Sequence, residues 1–535
     1  MKRAWTLRFV FPIIGLVSLL LLSQLKNEPI AQAAANDTRN VPYLRVAPPA
    51  PVFTDKERLA ELAQRRSRVA QKIGNKAILI LFSTEPRVYA NDVDYEYRQE
   101  NNLYYLTNLK QRGATLVLMP GNSQTPELLF LPRRNPAAET WTGHMYSPQE
   151  ANQISGVREI WEASEFEPFV KALRNRQPYR PKEDKIFMTS VPESAAGSSS
   201  GFEGLFDASA KNEAELYLLV PRAAESKEYV REQQFAAEST RAGNYSVKNA
   251  FPIFNEMRLR KSPMELRLMQ HAIDITIEAH ERAWTISGTA KWEYEVDAQV
   301  AYTFKLRNAD HWGYPSIVGC GPNATTLHYE ESQGPVKPGE LLLMDVGAEY
   351  EHYSADVTRT FPVNGKFSPA QADVYQIVYD AQEAVANATK PGASLSDVNR
   401  VGTEVIKDGL LKLGLITDRN SSQYRIWFMH GTSHWLGMNV HDVGGTAKFE
   451  PGAVFTNEPG IYVRPDALDY MPFGWKQDEW EKFKATIHPA FEKYKNIGVR
   501  IEDDMVVTAD GVKWMTEALP RKIADIEAFM AQVKP

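Results

Sequence analysis

Two aspartates stand where strands should be apolar. Leu341-Leu-Leu-Met-Asp345-Val-Gly is a hydrophobic run broken by a single acid, and Tyr353-Ser-Ala-Asp356-Val-Thr-Arg-Thr-Phe361 alternates like a half-buried strand. The spacing predicts a β-hairpin. With its turn centred on Tyr350 and Glu351, Asp345 and Asp356 are direct cross-strand neighbours with Cβ atoms about 5 Å apart. Like charges that close repel, and a carboxylate inside an apolar strand is costly to bury without a cation beside it. A pair of metal ions satisfies both demands. The alternative is a solvated aspartate at each position.

Three further segments could complete such a site. His430-Gly-Thr-Ser-His434-Trp-Leu-Gly-Met-Asn-Val-His441-Asp442 gathers three of the chain's 10 histidines, Asn457-Glu458-Pro459-Gly460-Ile-Tyr462 ends an apolar run on an acid before a turn, and Gly498-Val-Arg500-Ile-Glu502 sets an acid at a strand start. Each alone has an ordinary reading, a buried core histidine or a surface glutamate. Their joint order gives them weight.

The elements that must hold these residues are legible in outline. A helix begins at Thr54, where Glu57 completes a capping box and Gly74 suits the end; another begins at Ser262-Pro263, with Glu265 closing the box. Apolar runs at 77–82, 114–119 and 128–131 read as strands, so the first half is α/β. The run Ser194 to Gly201, rich in Ser, Ala and Gly, is a loop or small insertion. The expected division is a signal over residues 1–35, a Pro-rich, extended and mobile linker over 36–53, an N-terminal domain over 54–254 and a second domain over 255–535. No internal repeat is visible.

Composition narrows the functional classes. At 535 residues and 43% hydrophobic, the chain has ample material for a large core, and a net charge of -6 leaves no broad basic field for nucleic acid. A single cysteine, Cys320, excludes an intrachain disulfide and a Cys-x-x-Cys zinc site. Lys2, Arg3 and Arg8 precede the apolar run Phe9 to Leu22, which at about 1.5 Å per residue falls short of the roughly 30 Å of a bilayer core. With Ala-x-Ala sites at 31–35, this reads as a secretory signal, and the protein is expected to be exported, periplasmic or secreted, with no stable span in its mature form. An uncleaved anchor is the alternative.

The ordered set Asp345, Asp356, His434, Glu458 and Glu502 resembles the dinuclear metallopeptidases of the pita-bread fold, and within them Xaa-Pro aminopeptidases. The resemblance extends through Tyr97-Arg-Gln-Glu-Asn, Asn255-Glu-Met-Arg-Leu-Arg-Lys-Ser-Pro263, Thr326-Leu-His328-Tyr and Thr358-Arg-Thr-Phe-Pro-Val363. It implies a creatinase-like α/β N-terminal domain followed by a pita-bread catalytic domain. It further implies two divalent ions, with Asp356 and Glu502 bridging, Asp345 on one ion, and His434 with Glu458 on the other. Such an oxygen-rich donor set suits Mn²⁺, with Zn²⁺, Co²⁺ or Fe²⁺ open. A hydroxide shared by the ions would release the first residue from peptides with proline second. Glu458 would handle its proton, His328 and His441 the scissile carbonyl, His430 and Tyr462 the proline ring, and Arg500 the nearby carboxylates.

One region departs from the simplest pattern. Between Glu458 and Glu502, residues 466–495 form an aromatic-rich insertion, a surface flap or a substrate gate, and a spacer of this length is similar to Xaa-Pro dipeptidases. The loop from Asp442 to Phe455 carries no arginine to hold a dipeptide's carboxylate, which favours longer peptides. The third reading is a metal-free binding module, disfavoured because all five positions keep ligand-type side chains. Related enzymes are often dimers or tetramers, so the resemblance admits a homo-oligomer.

Overall fold

The computed structural model describes residues 44–190, 201–221 and 228–533. The expected signal, the first part of the linker and the run from Ser194 to Ser200 lie outside the described residues. Two capping boxes set the frame. Thr54 and Glu57 start the Asp55–Ile73 helix, Ser262 and Glu265 start the Pro263–Ser287 helix, and in both the side chains and backbone amides bond reciprocally.

Between these helices the chain builds a mixed sheet. Among the described residues it has seven strands, in the order Ile186–Met188, Ile160–Glu162, Glu127–Leu131, Thr115–Leu118, Ala77–Phe82, Glu215–Leu218 and Ser246–Asn249. Its central strands are buried on both faces: Leu79, Leu81, Leu116 and Leu118 join one core, while Ile78, Ile80, Phe82 and Val117 join another. That double burial explains why these strands read as unbroken apolar runs. The Phe251–Leu259 helix links the last strand to the second domain.

The linker is extended but docked, at least from residue 44 onward. The Arg45 and Ala47 amides donate to Glu281 and Glu278 at 2.6 and 2.8 Å, and Phe53 packs beneath the Arg267 guanidinium. The expectation of a mobile linker fails here because acids on the Pro263–Ser287 helix accept its backbone N–H groups.

The second domain repeats one plan. The helices Pro263–Ser287 and Glu293–Leu306 precede a three-stranded antiparallel sheet of Ile317–Cys320, Leu341–Val346 and Val357–Pro362. The helices Pro369–Ala388 and Leu395–Leu413 precede a second antiparallel set, Val454–Asn457 with Asp503–Val507 and Val512–Trp514, beside the pair Gly460–Tyr462 and Gly498–Arg500. A repeat of element order therefore exists that the sequence hides. Among the described residues no helix is long and apolar enough to cross a membrane.

The insertion is neither a free flap nor a detached unit. Its Gln477–Tyr494 helix buries Trp480, Phe483, Ile487, Phe491 and Tyr494 in the main core, while Tyr470 and Phe473 in the preceding loop are exposed.

A buried ion pair fixes the junction of the two sheets. Arg359, on the first, donates to Asp503 Oδ1 at 2.6 Å and to the Glu502 carbonyl at 2.7 Å, and Gln382 holds Asp503 Oδ2 at 2.7 Å. Removing one partner of such a pair leaves an uncompensated buried charge. Arg359→Met is expected to cost about 3–5 kcal/mol in urea unfolding. A loss under about 1 kcal/mol would show that the pair does not anchor the junction.

Candidate metal centre

The hairpin that carries the two aspartates has a different register from the one its sequence suggests. Asp345 faces Thr358, and Tyr350 faces Tyr353 across a two-residue turn of Glu351 and His352, both left-handed at φ 46° and 68°. The expected direct pairing of Asp345 with Asp356 is therefore corrected to a diagonal one. Because the slip is two residues, both carboxylates keep the same face. The strands come close just there: a Cβ on Gly347 would lie 1.9 Å from the Ala355 carbonyl oxygen.

The Pro263–Ser287 helix holds this hairpin from behind. His280 Nε2 meets the Val357 carbonyl at 3.0 Å, Thr276 Oγ1 accepts from the Ala348 amide at 3.0 Å, and Tyr353 donates to Glu265 at 2.8 Å. Burial keeps His280 neutral, with its pKa near 3.

Around the hairpin face the other candidates gather. Donor atoms of Asp356, His434 and Glu502 lie within 4.8 Å of one another. His434 Nε2 is 3.2 Å from Asp356 Oδ2 and 3.5 Å from Glu458 Oε1. Its Nδ1 bonds the Trp435 carbonyl at 3.0 Å, so that nitrogen carries a proton. Nε2 then points a lone pair at two carboxylates unless it is protonated or a cation lies between. These donors fit a divalent ion.

Asp345 joins from the other side. Its Oδ2 accepts from Arg500 Nη2 at 2.6 Å, and its Oδ1 accepts from the Tyr314 hydroxyl. Arg500 also donates Nε to Thr358 Oγ1 at 3.2 Å and Nη1 to the Tyr462 hydroxyl at 2.9 Å. Thr358 passes the link on, donating to Glu502 Oε2 at 2.7 Å. Tyr462 donates to His430 Nε2 at 2.8 Å, because His430 Nδ1 already gives its proton to the Gly431 carbonyl.

The remaining candidates sit at the rim. His441 is exposed and stands edge-on to His434, ring centroids 4.4 Å apart, and exposed His328 is near enough to depress its pKa, after burial and His434. Tyr462 is fully buried, so of the pair expected to line a pocket only His430 reaches the surface.

Three participants escaped the sequence reading. Thr358 and Asp504 each lie two residues beyond a ligand candidate on the same strand face, which is the signal that could have found them. Asp504 Oδ2 accepts from the Asp356 amide at 3.1 Å. Tyr314 lies in a loop and carries no comparable signal.

Crowding sets the electrostatics. Burial, then repulsion from Asp356 and Glu458, holds Glu502 well above the usual carboxylate range, and burial lifts Glu458 to about 7. Burial disfavours the His434 cation, but the Asp356 hydrogen bond and the Glu458 charge outweigh it and raise its pKa to about 9. At neutral pH the cation-free cluster therefore stores protons that metal must displace. Calorimetric Mn²⁺ titration at pH 7 should show proton release that scales with buffer ionisation heat, and affinity that rises with pH up to about 9. Affinity independent of pH, with buffer-independent heat, would refute this electrostatic account.

Comparison with known proteins agrees with the geometry. Residues 267–509 match the model of metallopeptidase family M24, and residues 62–180 match the aminopeptidase P N-terminal domain. The Xaa-Pro aminopeptidase of Haemophilus influenzae is 34% identical over 481 residues, covering 88% of this chain and 97% of its own. That of Escherichia coli K12 is 31% identical over 485 residues, covering 89% and 98%. The structure of E. coli aminopeptidase P with the inhibitor Pro-Leu superposes with a TM-score of 0.70 at 29% identity, over 90% of this chain and 99% of that one. An α/β N-terminal domain ahead of a pita-bread catalytic domain is thus the fold of this protein too, and the chain belongs to the aminopeptidase P group of metallopeptidase family M24.

Proposed function

We propose that this protein is an Xaa-Pro aminopeptidase, a metal-dependent exopeptidase that releases the first residue of peptides with proline in second position. The observation that carries this is the cluster of Asp356, His434 and Glu502 donor atoms within 4.8 Å of one another, with Glu458 beside His434 and Asp345 linked to Glu502 through Arg500 and Thr358, in a chain matching relatives of that activity along nearly their whole length.

The five side chains would hold two divalent ions, and the four carboxylates favour Mn²⁺. When bound, such a pair supplies a water acidified toward neutral pH and Lewis-acid polarisation of the scissile carbonyl. The protein's own groups do the rest. Glu458, only half-buried, would accept the water's proton and return it to the leaving nitrogen. Exposed His441 and His328 can donate to the carbonyl oxygen as charge develops there. Arg500 holds Asp345 in place from beneath.

Proline in second position makes chemical sense for such a site. The bond before it is a tertiary amide without N–H, so recognition as a strand fails there. A site that grips the free amine and packs the pyrrolidine ring, against His430 over buried Tyr462, does not need that hydrogen bond. Export from the cytosol is part of the same proposal and rests on the basic and apolar N-terminal segment.

Dipeptidase activity is the competing reading. The loop from Asp442 to Phe455 has no arginine to bind a product-side carboxylate, so a dipeptide gains nothing over a longer peptide there. With Mn²⁺, an Xaa-Pro-Xaa tripeptide should be cleaved after its first residue with kcat/KM at least about ten-fold above that of an Xaa-Pro dipeptide. Exclusive dipeptide cleavage would overturn the proposal.

A further inference from the structure

The segment Tyr97-Arg98-Gln99-Glu100-Asn101 belongs to the N-terminal domain and bonds to none of the five candidate ligands, yet its polar groups converge on two stretches that carry three of them: the hairpin of Asp345 and Asp356, and the loop that begins at His434. Arg98 Nε donates to both carboxylate oxygens of Glu349, at 2.9 and 3.0 Å. Its Nη2 donates to the Met438 carbonyl at 2.7 Å, and its Nη1 to Asn101 Oδ1 at 2.9 Å. Asn101 Nδ2 then donates to Asn439 Oδ1 at 2.7 Å and to the Met438 carbonyl at 3.3 Å. Asn101 Oδ1 also accepts from His352 Nδ1 at 3.1 Å, and the His352 ring stacks on Tyr104 with centroids 3.8 Å apart.

Glu349 and His352 form the tip of the hairpin between Asp345 and Asp356. Met438 and Asn439 lie midway between His434 and His441. The next residue of the segment, Asn102, accepts from Arg258 Nη1 at 2.9 Å, and Arg258 grips Asp442, the neighbour of His441, at 2.6 Å.

Both stretches need outside support. The hairpin turns through two left-handed non-glycine residues, and residues 436–445 have no helix or extended strand of their own. Backbone joins them through the Ser354 amide and the Gly437 carbonyl at 2.9 Å. Arg98 adds a planar fork reaching Glu349, Met438 and Asn101 at once, which the single ammonium of a lysine cannot reproduce.

We propose that Arg98 and Asn101 are positioning residues through which the N-terminal domain sets the hairpin carboxylates against the loop from His434 to His441. The inference rests on the reading that the cluster binds metal and hydrolyses peptides. Losing the fork lets the two halves of the donor set drift apart, which weakens the metal pair and displaces His441 from the scissile carbonyl.

Two variants test this in the full-length protein. Arg98→Lys keeps a cation beside Glu349 but loses the fork; Arg98→Ala with Glu349→Gln removes the fork without stranding a buried charge. Both should keep the wild-type circular dichroism spectrum, bind Mn²⁺ about ten-fold or more weakly by calorimetry, and lose about ten-fold or more in kcat on an Xaa-Pro-Xaa peptide. Lys72→Ala, which breaks the exposed ion pair with Glu256 near the same domain junction, should change neither. Mn²⁺ affinity and kcat within about two-fold of wild type in both variants would overturn the proposal. If the wild type binds Mn²⁺ but leaves the peptide intact, the peptidase reading fails while the affinity comparison still decides the clamp. A wild type that binds no Mn²⁺ overturns both.

Discussion

Mutual repulsion among buried carboxylates is the constraint on which this structure turns. Asp345, Asp356, Glu458 and Glu502 share one small region with Asp504 close behind, and at about 4 Å two such charges repel by about 4 kcal/mol at an effective dielectric near 20. Without a cation the cluster relieves that repulsion by taking up protons: burial, with repulsion added to it, lifts Glu458 to about 7, and Asp356 and Glu458, acting against burial, raise His434 to about 9. Arg500 pairs directly with Asp345, and its charge only partly offsets the crowding at Glu458 and Glu502. The arrangement is electrostatically incomplete until divalent charge enters it.

Holding side chains against that repulsion requires rigid backbone. Strands supply most of it: Asp345 lies inside Leu341–Val346, while Asp356 and Glu502 immediately precede Val357–Pro362 and Asp503–Val507. The Glu502 amide bonds the Thr358 carbonyl at 3.0 Å, so the two halves of the domain meet at the carboxylates themselves. Arg359, Asp503 and Gln382 lock the same junction from the side away from solvent. Helix capping, sheet register and ion pairing thus serve one end, a fixed spacing of like charges.

Much of this was legible in the sequence because it is locally encoded. Capping boxes at Thr54 and Ser262 depend on residues three apart, and a carboxylate inside an apolar strand is conspicuous. The hairpin register was not legible, since Glu351 and His352 lack the Asn-Gly signature of a tight turn. Their left-handed conformation is fixed by distant partners: Arg58 pairs with Glu351 at 2.7 Å, and Tyr104 stacks on His352. Tertiary contacts likewise decide the linker, which Glu278 and Glu281 pin down. Tyr314 lies in a loop with no such local pattern, so its role emerges only from the assembled fold, and the Arg98 partners Glu349 and Met438 lie 251 and 340 residues away along the chain.

The central claim is that the five side chains enclose two cations. Anomalous diffraction from Mn²⁺-soaked crystals of the wild type and of Asp356→Ala tests it most directly. The account predicts two manganese peaks about 3.5–4 Å apart between Asp345, Asp356, His434, Glu458 and Glu502 in the wild type, with at least one lost in the variant. No peak among these residues, or an unchanged pair of peaks in Asp356→Ala, would contradict it.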